Sequence, residues 1–275
     1  MAEKLTQFRF VNSFTSRKRV TLDKMSRGNP PTRIKSMTQP KTFDHIHCSH
    51  CEKRGDSIFC CMHGENLDEL SESKTCSVYK KGQVLFNEGG HPFGVYCINK
   101  GKIKVSIVGD EGKEQIVRLA KDGDVLGYRS MLASERYNAT ATALEDSQVC
   151  FIPKDIFLGS LKKDATLSVE VMKLLSTQLK EAEIKLTHLA QKPVRERLAE
   201  TLLFLKETYG FEAGTDVLSV QLSREEIANL VGTATETAIR LLSELNKEKI
   251  IELMGKRIKI TNLKALIKTA NLSDY

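Results

Sequence analysis

The chain has 275 residues, of which 40% are hydrophobic and 28% charged, a composition typical of a folded protein with room for two domains. Its longest apolar runs, such as 202–205, fall far short of the roughly 20 residues that cross a bilayer, and residues 1–19 lack the apolar core of a signal peptide. We therefore expect no membrane association and a cytoplasmic location. The net charge of +7 equals the excess of ten Lys/Arg over three Asp/Glu in residues 1–44, which predicts a basic, disordered arm.

Seven cysteines occur in the chain, and four of them lie close together between positions 48 and 61. In a chain without an export signal, this usage argues against a disulfide framework and favours metal ligands or packed thiols. One interpretation is a tetrahedral zinc site formed by Cys48, Cys51, His63 and either Cys60 or Cys61. The other interpretation is that these thiols bind no metal and are packed or redox-active.

Short β-type runs alternate with glycines from Val78 to Phe157. This pattern predicts an antiparallel barrel or roll with tight turns, and Cys76 and Cys97 are expected to be core residues of it. The sequence contains neither a glycine-rich phosphate loop of the P-loop type nor a nucleophile elbow, so an enzyme is not expected.

A long helix is predicted from about 167 to 191. Its apolar residues recur at 3,4,3,4,3 spacing and form a narrow stripe flanked by charged side chains. The stripe consists of Met172, Leu175, Leu179, Ala182, Leu186 and Leu189. Such a seam is typical of a parallel coiled coil and predicts a homodimer, with packing of the helix onto its own roll as the alternative. Because Pro193 ends the helix, we divide the chain into a sensor domain (45–164), a dimerisation helix (165–192) and a C-terminal domain (193–275).

The C-terminal domain shows two helices separated by a short turn. Ser223 and Glu226 have the capping-box form that starts the first helix, and Gly232 ends it. A second capping box, from Thr233 to Glu236, is expected to start the next helix, so the pattern predicts a helix-turn-helix. The hairpin predicted at 250–260 fits a wing beside it.

The start of the second helix is expected to enter the major groove. There an Arg can bond guanine and a Glu can accept from cytosine, while basic residues in the wing can touch phosphates. The predicted DNA contacts are Ser223, Thr233, Thr235, Glu236, Ile239, Arg240, Lys256 and Arg257. The alternative is that Glu236 only caps its helix and that Arg240 is only a solvated side chain.

In this order, the roll, the long helix and the winged helix-turn-helix closely resemble the CRP/FNR family of bacterial transcription regulators, over residues 48 to about 268. The segment 232–242 looks like the family's recognition helix, with Glu236 and Arg240 at its two base-reading positions. The resemblance implies an α+β fold with a cyclic-nucleotide-binding-like β-roll sensor domain, a dimerisation helix and a winged helix-turn-helix. It also implies a homodimer on palindromic DNA sites with a TGA core, and RNA polymerase as a further partner. Ile239 stands where the FNR branch has a small polar residue, so the outer base of the half-site stays open.

The resemblance also bears on which ligand or signal the sensor domain detects. The family's cyclic-nucleotide branch holds the phosphate with a Gly-Glu pair and an arginine, whereas here Tyr128 follows Gly127 and Arg136 is one residue out of register. A bound phosphate would lose charge-assisted hydrogen bonds, which argues against cyclic AMP.

The cysteines instead resemble those of the FNR branch, where three N-terminal cysteines and one distant cysteine bind an oxygen-labile [4Fe–4S] cluster. The implied ligands are Cys48, Cys51, Cys60 and Cys150, with Cys61 as a substitute for Cys60. Two alternatives stay open: the same regulator without metal, responding to a small molecule or to thiol redox state, and a nucleotide-binding-like module that acts on a protein partner.

Overall fold

The computed structural model describes residues 41–42 and 46–272. The predicted arm of residues 1–44 lies outside the described residues except for Lys41–Thr42, which form a short strand instead of being disordered. This strand adds to the edge of the roll because it pairs antiparallel with Ser77 and Val78.

The sensor half is built from antiparallel strands. In chain order they are β1 (Lys41–Thr42), β2 (Thr75–Tyr79), β3 (Val84–Phe86), β4 (Gly94–Lys100), β5 (Ile103–Val108), β6 (Glu114–Ala120), β7 (Val125–Leu126), β8 (Thr140–Ala143) and β9 (Ser147–Pro153). They form one sheet in the order β1-β2-β9-β4-β7 and another in the order β3-β8-β5-β6. The short strands and glycine turns thus produce the predicted roll, and the fold class is confirmed.

Several α-helices accompany the roll: α1 (Glu65–Ser73), α2 (Tyr128–Leu132), α3 (Lys154–Lys163) and α4 (Ala165–Gln191). The long helix α4 begins where the Asp164 carboxylate accepts the backbone N–H groups of Thr166 and Leu167, at 2.9 and 3.2 Å. It ends just before Pro193, whose ring cannot continue a helix. Among the described residues, no helix is both long and apolar enough to cross a membrane.

The C-terminal part consists of α5 (Val194–Tyr209), α6 (Arg224–Val231), α7 (Thr235–Lys247), β10 (Ile251–Met254), β11 (Arg257–Ile260) and α8 (Leu263–Thr269). The predicted capping box of α6 is present, since Ser223 Oγ accepts the Glu226 N–H and the Glu226 carboxylate accepts the Ser223 N–H. Gly232 ends α6 with a φ of 75°, a left-handed conformation that favours glycine. The second predicted capping box is wrong, because the residue before α7 is Ala234, which has no side chain that can cap.

One hydrophobic cluster joins the two halves, and the sensor half has two further clusters of its own. Ile116, Leu119 and Leu144 of the roll pack in the same cluster as buried leucines of α5, α6 and α7. Burial of this apolar surface is the main force that holds the C-terminal helices against the roll. The boundaries at 164 and 192 stay a prediction, although α4 itself runs between them.

Candidate nucleic-acid interface and sensor cysteines

Helix α7 is fixed in the C-terminal core by one face and exposes the other. Its inner face is apolar and buried, and consists of Ala238, Leu241, Leu242 and Leu245. Glu236, Ile239 and Arg240, spaced i, i+3 and i+4, are exposed on the outer face. The helix therefore presents two charged side chains and one apolar side chain to the surroundings without disturbing its own packing.

The Arg240 guanidinium is not locked in place. Its Nη1 lies 2.6 Å from Glu244 Oε1, one turn further along the exposed face. An exposed i,i+4 ion pair contributes only about 0.5 kcal/mol, so Arg240 can exchange this partner for a base or a phosphate at little cost.

The predicted contacts that flank the outer face are partly engaged in the fold. Thr233, Thr235 and Ser223 are half-buried, and the Ser223 hydroxyl oxygen already serves the cap of α6. Only the hydroxyl hydrogen of Ser223 is left for a phosphate.

The wing is a tight hairpin in which Met254 pairs with Arg257 and Gly255 has a φ of 63°. Lys256 is exposed at its tip, whereas the Arg257 guanidinium forms an ion pair with Glu212. No sequence pattern singles out Arg224, which lies at the first position of α6. Its Nη2 donates to Gly255 O at 2.8 Å and so holds the wing against the helix-turn-helix.

Helix α4 buries one side on the roll and leaves the predicted dimer stripe uncovered. Leu167 and Val171 are buried and Leu174 packs beside them. The exposed fractions along the stripe are 57% for Met172, 36% for Leu175, 62% for Leu179, 69% for Leu186 and 37% for Leu189, and Ala182 is exposed as well. The helix therefore packs onto its own roll, but by residues other than those of the stripe.

The cysteines form two groups. Cys48 and Cys51 line a cavity of about 50 Å³ together with Cys97 and Cys150. Lys74, which is buried, donates to Cys48 Sγ at 3.0 Å. Burial raises the pKa of the Cys97 thiol well above its ordinary value, and the neighbouring thiols Cys48 and Cys51 add to this effect.

Cys150, predicted as a cluster ligand, forms a disulfide bond with Cys76, although the cysteine usage argued against a disulfide framework. The register of β2 and β9 places these two residues directly opposite each other, so their side chains meet on one face of the sheet. Cys76 is a core residue, as predicted, but it is not a free thiol.

Cys60 and Cys61 make up the second group, with their Sγ atoms 3.1 Å apart. The hydrogen bond to Cys61 raises the pKa of Cys60, and burial and the charge of Glu170 on α4 add to it. Three of the four predicted cluster ligands, Cys48, Cys51 and Cys150, thus line one cavity, but Cys150 is bonded to Cys76 and Cys60 is not part of the lining. His63, a ligand in the zinc interpretation, is exposed. Within 46–272, no three His, Cys, Asp or Glu side chains are placed to hold a metal ion.

Tyrosines occupy the positions that would correspond to a cyclic-nucleotide phosphate site. Tyr128 is 1% exposed, and Tyr137 stacks on Phe86 with 4.1 Å between ring centroids. Burial raises the pKa of Tyr137 to about 12, so its hydroxyl stays neutral. The Arg136 guanidinium turns outward and donates to Gly89 O at 2.9 Å. This arrangement supports the expectation that cyclic AMP is not the ligand.

Two family descriptions match the chain: the cyclic nucleotide-binding domain over residues 77–164 and the Crp-like helix-turn-helix domain over residues 196–269. The anaerobic regulatory protein of Pasteurella multocida (strain Pm70) is 32% identical over 227 residues, which cover 81% of this chain and 82% of that protein. The fumarate and nitrate reduction regulatory protein of Escherichia coli (strain K12) is 31% identical over 229 residues, or 82% and 90% of the two chains.

Solved structures agree with the fold. A CRP/FNR-family transcriptional regulator from Thermus thermophilus superposes with a TM-score of 0.61 at 26% identity, over 71% of this chain and 98% of that one. FixK2 from Bradyrhizobium japonicum has a TM-score of 0.64 at 23% identity, over 71% and 96% of the chains. With a helix-turn-helix confirmed by fold and by sequence, the chain is a DNA-binding transcription regulator and not an enzyme, and it belongs to the CRP/FNR family, near its FNR branch.

Proposed function

We propose that the protein binds palindromic DNA sites with a TGA core as a homodimer, and that Glu236 and Arg240 read the bases. The observation that carries this proposal is the exposed outer face of α7, on which these two side chains stand one turn apart. Arg240 can donate to guanine O6 and N7, and Glu236 can accept from the cytosine amino group. Both bases are present at the G·C pair of a TGA half-site.

Two subunits are needed to read both halves of a palindrome. The uncovered apolar stripe on α4 supports this requirement, because a second copy of the helix can bury it as a coiled-coil seam. RNA polymerase as a partner and a cytoplasmic location stay predictions.

Arg240→Ala tests the base contact. We expect a loss of about 1 to 3 kcal/mol, or roughly fivefold to 150-fold in affinity, on TGA palindromes and little change on random DNA. Lys247→Ala, at the other end of α7, is the matched control and should bind both DNAs as the native protein does. Equal affinity of native protein and Arg240→Ala for the palindrome would contradict the proposal.

For the signal, we propose that the cysteines respond to thiol redox state without a metal. A [4Fe–4S] cluster needs four thiolates, but the Cys150 sulfur is bonded to Cys76. Cys60 contacts Cys61 instead of the other predicted ligands, and the nearby charge is that of Glu170 in α4. The described residues therefore do not fit the cluster. The disulfide and the close pair of thiols support a thiol-based sensor instead.

Anaerobic purification followed by metal and thiol analysis tests this second proposal. We expect a colourless protein, with five titratable thiols in denaturant and seven after reduction, because one disulfide takes up two of the seven cysteines. A brown protein with about four irons per subunit that bleaches in air would overturn it in favour of the cluster.

A further inference from the structure

Strand β6 is an edge strand of its sheet and contacts the C-terminal helices with its first two residues. Gln115 Nε2 donates to the backbone carbonyl of Asn229 in α6. The Asn229 side chain in turn donates to Glu114 Oε2 at 3.1 Å. Asn229 is only 6% exposed and lies in the middle of a helix, where asparagine is a poor helix former, so its side chain has a tertiary role.

Charged groups reinforce this contact. Lys104 of β5, whose side chain is 13% exposed, lies 3.0 Å from Glu114 and 3.6 Å from Glu226 of the α6 capping box. Burial alone would raise the pKa of Glu114, but hydrogen bonds from Ser106 and Lys104 outweigh it and hold the pKa below the ordinary value. The carboxylate is therefore ionised and remains a strong acceptor for Asn229.

The next residues of β6 contact the long helix α4. In the pairing of β5 with β6, Ser106 is opposite Ile116 and Val105 is opposite Arg118, so Val117 is the extra residue of a β-bulge. Lys185 Nζ of α4 donates to the carbonyls of Ile116 and Val117, at 3.1 and 3.4 Å.

A second link to α4 lies one residue further along β6. Arg118 donates to the Tyr128 hydroxyl at 3.4 Å, and this hydroxyl also meets the amide of Gln178 in α4. One short strand thus holds both the helix that carries the dimer stripe and the helix that precedes the recognition helix.

We propose that Gln115, Glu114 and Asn229 are positioning residues, and that through them β6 fixes the direction of α7 relative to α4. Helix α6 shares its core with α7 across a short turn, so fixing α6 also fixes the outer face of α7. This inference rests on the proposed homodimer, because in a dimer the direction of each α7 sets the spacing of half-sites that both subunits can bind at once. That spacing is about 34 Å on B-DNA.

The test compares Gln115→Ala and Asn229→Ala with Glu111→Ala, an exposed residue in the same β5–β6 hairpin, as the matched control. Each protein is titrated with a single half-site duplex and with palindromes whose half-sites are one base pair closer, at the native spacing, or one base pair further apart. For the two positioning variants we expect half-site affinity within about twofold of native. At the spacing that the native protein prefers, affinity should fall about tenfold, and the affinities for the three spacings should become more similar. The reason is that the second helix-turn-helix is held less firmly in position after the first has bound, so its binding adds less to the affinity. An unchanged spacing profile in both variants would overturn the inference.

A second measurement does not depend on dimerisation. Trypsin cleavage of the intact proteins after Arg197, near the start of α5, reports how firmly the C-terminal helices are held, because the Arg197 guanidinium donates to Gly232 O at the end of α6. We expect cleavage several-fold faster in Gln115→Ala and Asn229→Ala than in native protein and Glu111→Ala, at equal thermal stability of the roll. Equal cleavage rates would contradict the inference that β6 holds the C-terminal helices in place. If the native protein is a monomer but the cleavage rates differ as expected, only the proposed dimer is contradicted.

Discussion

Helices α4 and α7 each bury one face and expose the other, but the exposed faces differ in kind. α4 exposes an apolar stripe that includes Leu179 and Leu186, at 62% and 69% of their surface. α7 exposes the charged Glu236 and Arg240. A contiguous apolar face is stabilised when another apolar surface covers it, whereas a charged face can exchange water for phosphates and base edges. This difference is consistent with the proposal that a second subunit covers α4 and that α7 contacts nucleic acid.

Making the α4 stripe polar should have the largest effect. Leu179→Glu places a charge in the proposed seam, where an unpaired buried carboxylate is strongly unfavourable, so we expect monomers in sedimentation experiments. Affinity for a palindrome should then fall by at least about a hundredfold, because the two helix-turn-helix units no longer bind as a pair. Lys180→Glu, on the adjacent flank, is the control that adds the same negative group outside the stripe. A Leu179→Glu dimer would show that the stripe is not the interface.

Truncating a buried side chain on the inner face of α7 should destabilise the helix-turn-helix and leave the exposed charged residues unchanged. Leu242 is fully buried, and Leu242→Ala should reduce the free energy of unfolding by about 2 to 5 kcal/mol, as is usual for a leucine removed from a core. Urea denaturation measures this loss, with Lys247→Ala as the exposed control. A change below about 1 kcal/mol would mean that α7 is held by something other than its leucines.

Removing the cap of α6 should have the smallest effect. Ser223→Ala deletes the oxygen that accepts the Glu226 N–H at 3.0 Å, and we expect a loss of about 1 kcal/mol in the free energy of unfolding. Ser223→Thr keeps a hydroxyl and should restore most of the stability. If Ser223→Ala also weakens DNA binding at a temperature where the protein is fully folded, and Ser223→Thr does not, the hydroxyl contacts a phosphate as well.

The parts that the sequence predicted well depend on local periodicity. The spacing of Leu175, Leu179 and Leu186 is enough to place them on one helix face, and Ser223 with Glu226 marks a helix start in four residues. A local pattern can still mislead, as Thr233 to Glu236 shows. The capping-box spacing is present there, but the backbone enters α7 one residue later, at Ala234.

The parts that the sequence could not predict depend on register and on tertiary contact. Cys76 and Cys150 are 74 residues apart, and only the alignment of β2 with β9 brings them together. The bonds among Glu114, Gln115 and Asn229 likewise join a strand and a helix that are 114 and 115 positions apart. A single glutamine on a strand and a single asparagine on a helix carry no periodic signal that would reveal such a pair.

The ammonium group of Lys185 also has a consequence for solubility. An edge strand with unpaired carbonyls is a template on which a strand of another molecule can add, and this is one route to aggregation. At the bulge of β6, Lys185 donates to two of these carbonyls and brings a positive charge to the rim of the sheet. We therefore expect the same side chain that joins α4 to the roll to disfavour the addition of a strand from a neighbouring molecule at this edge.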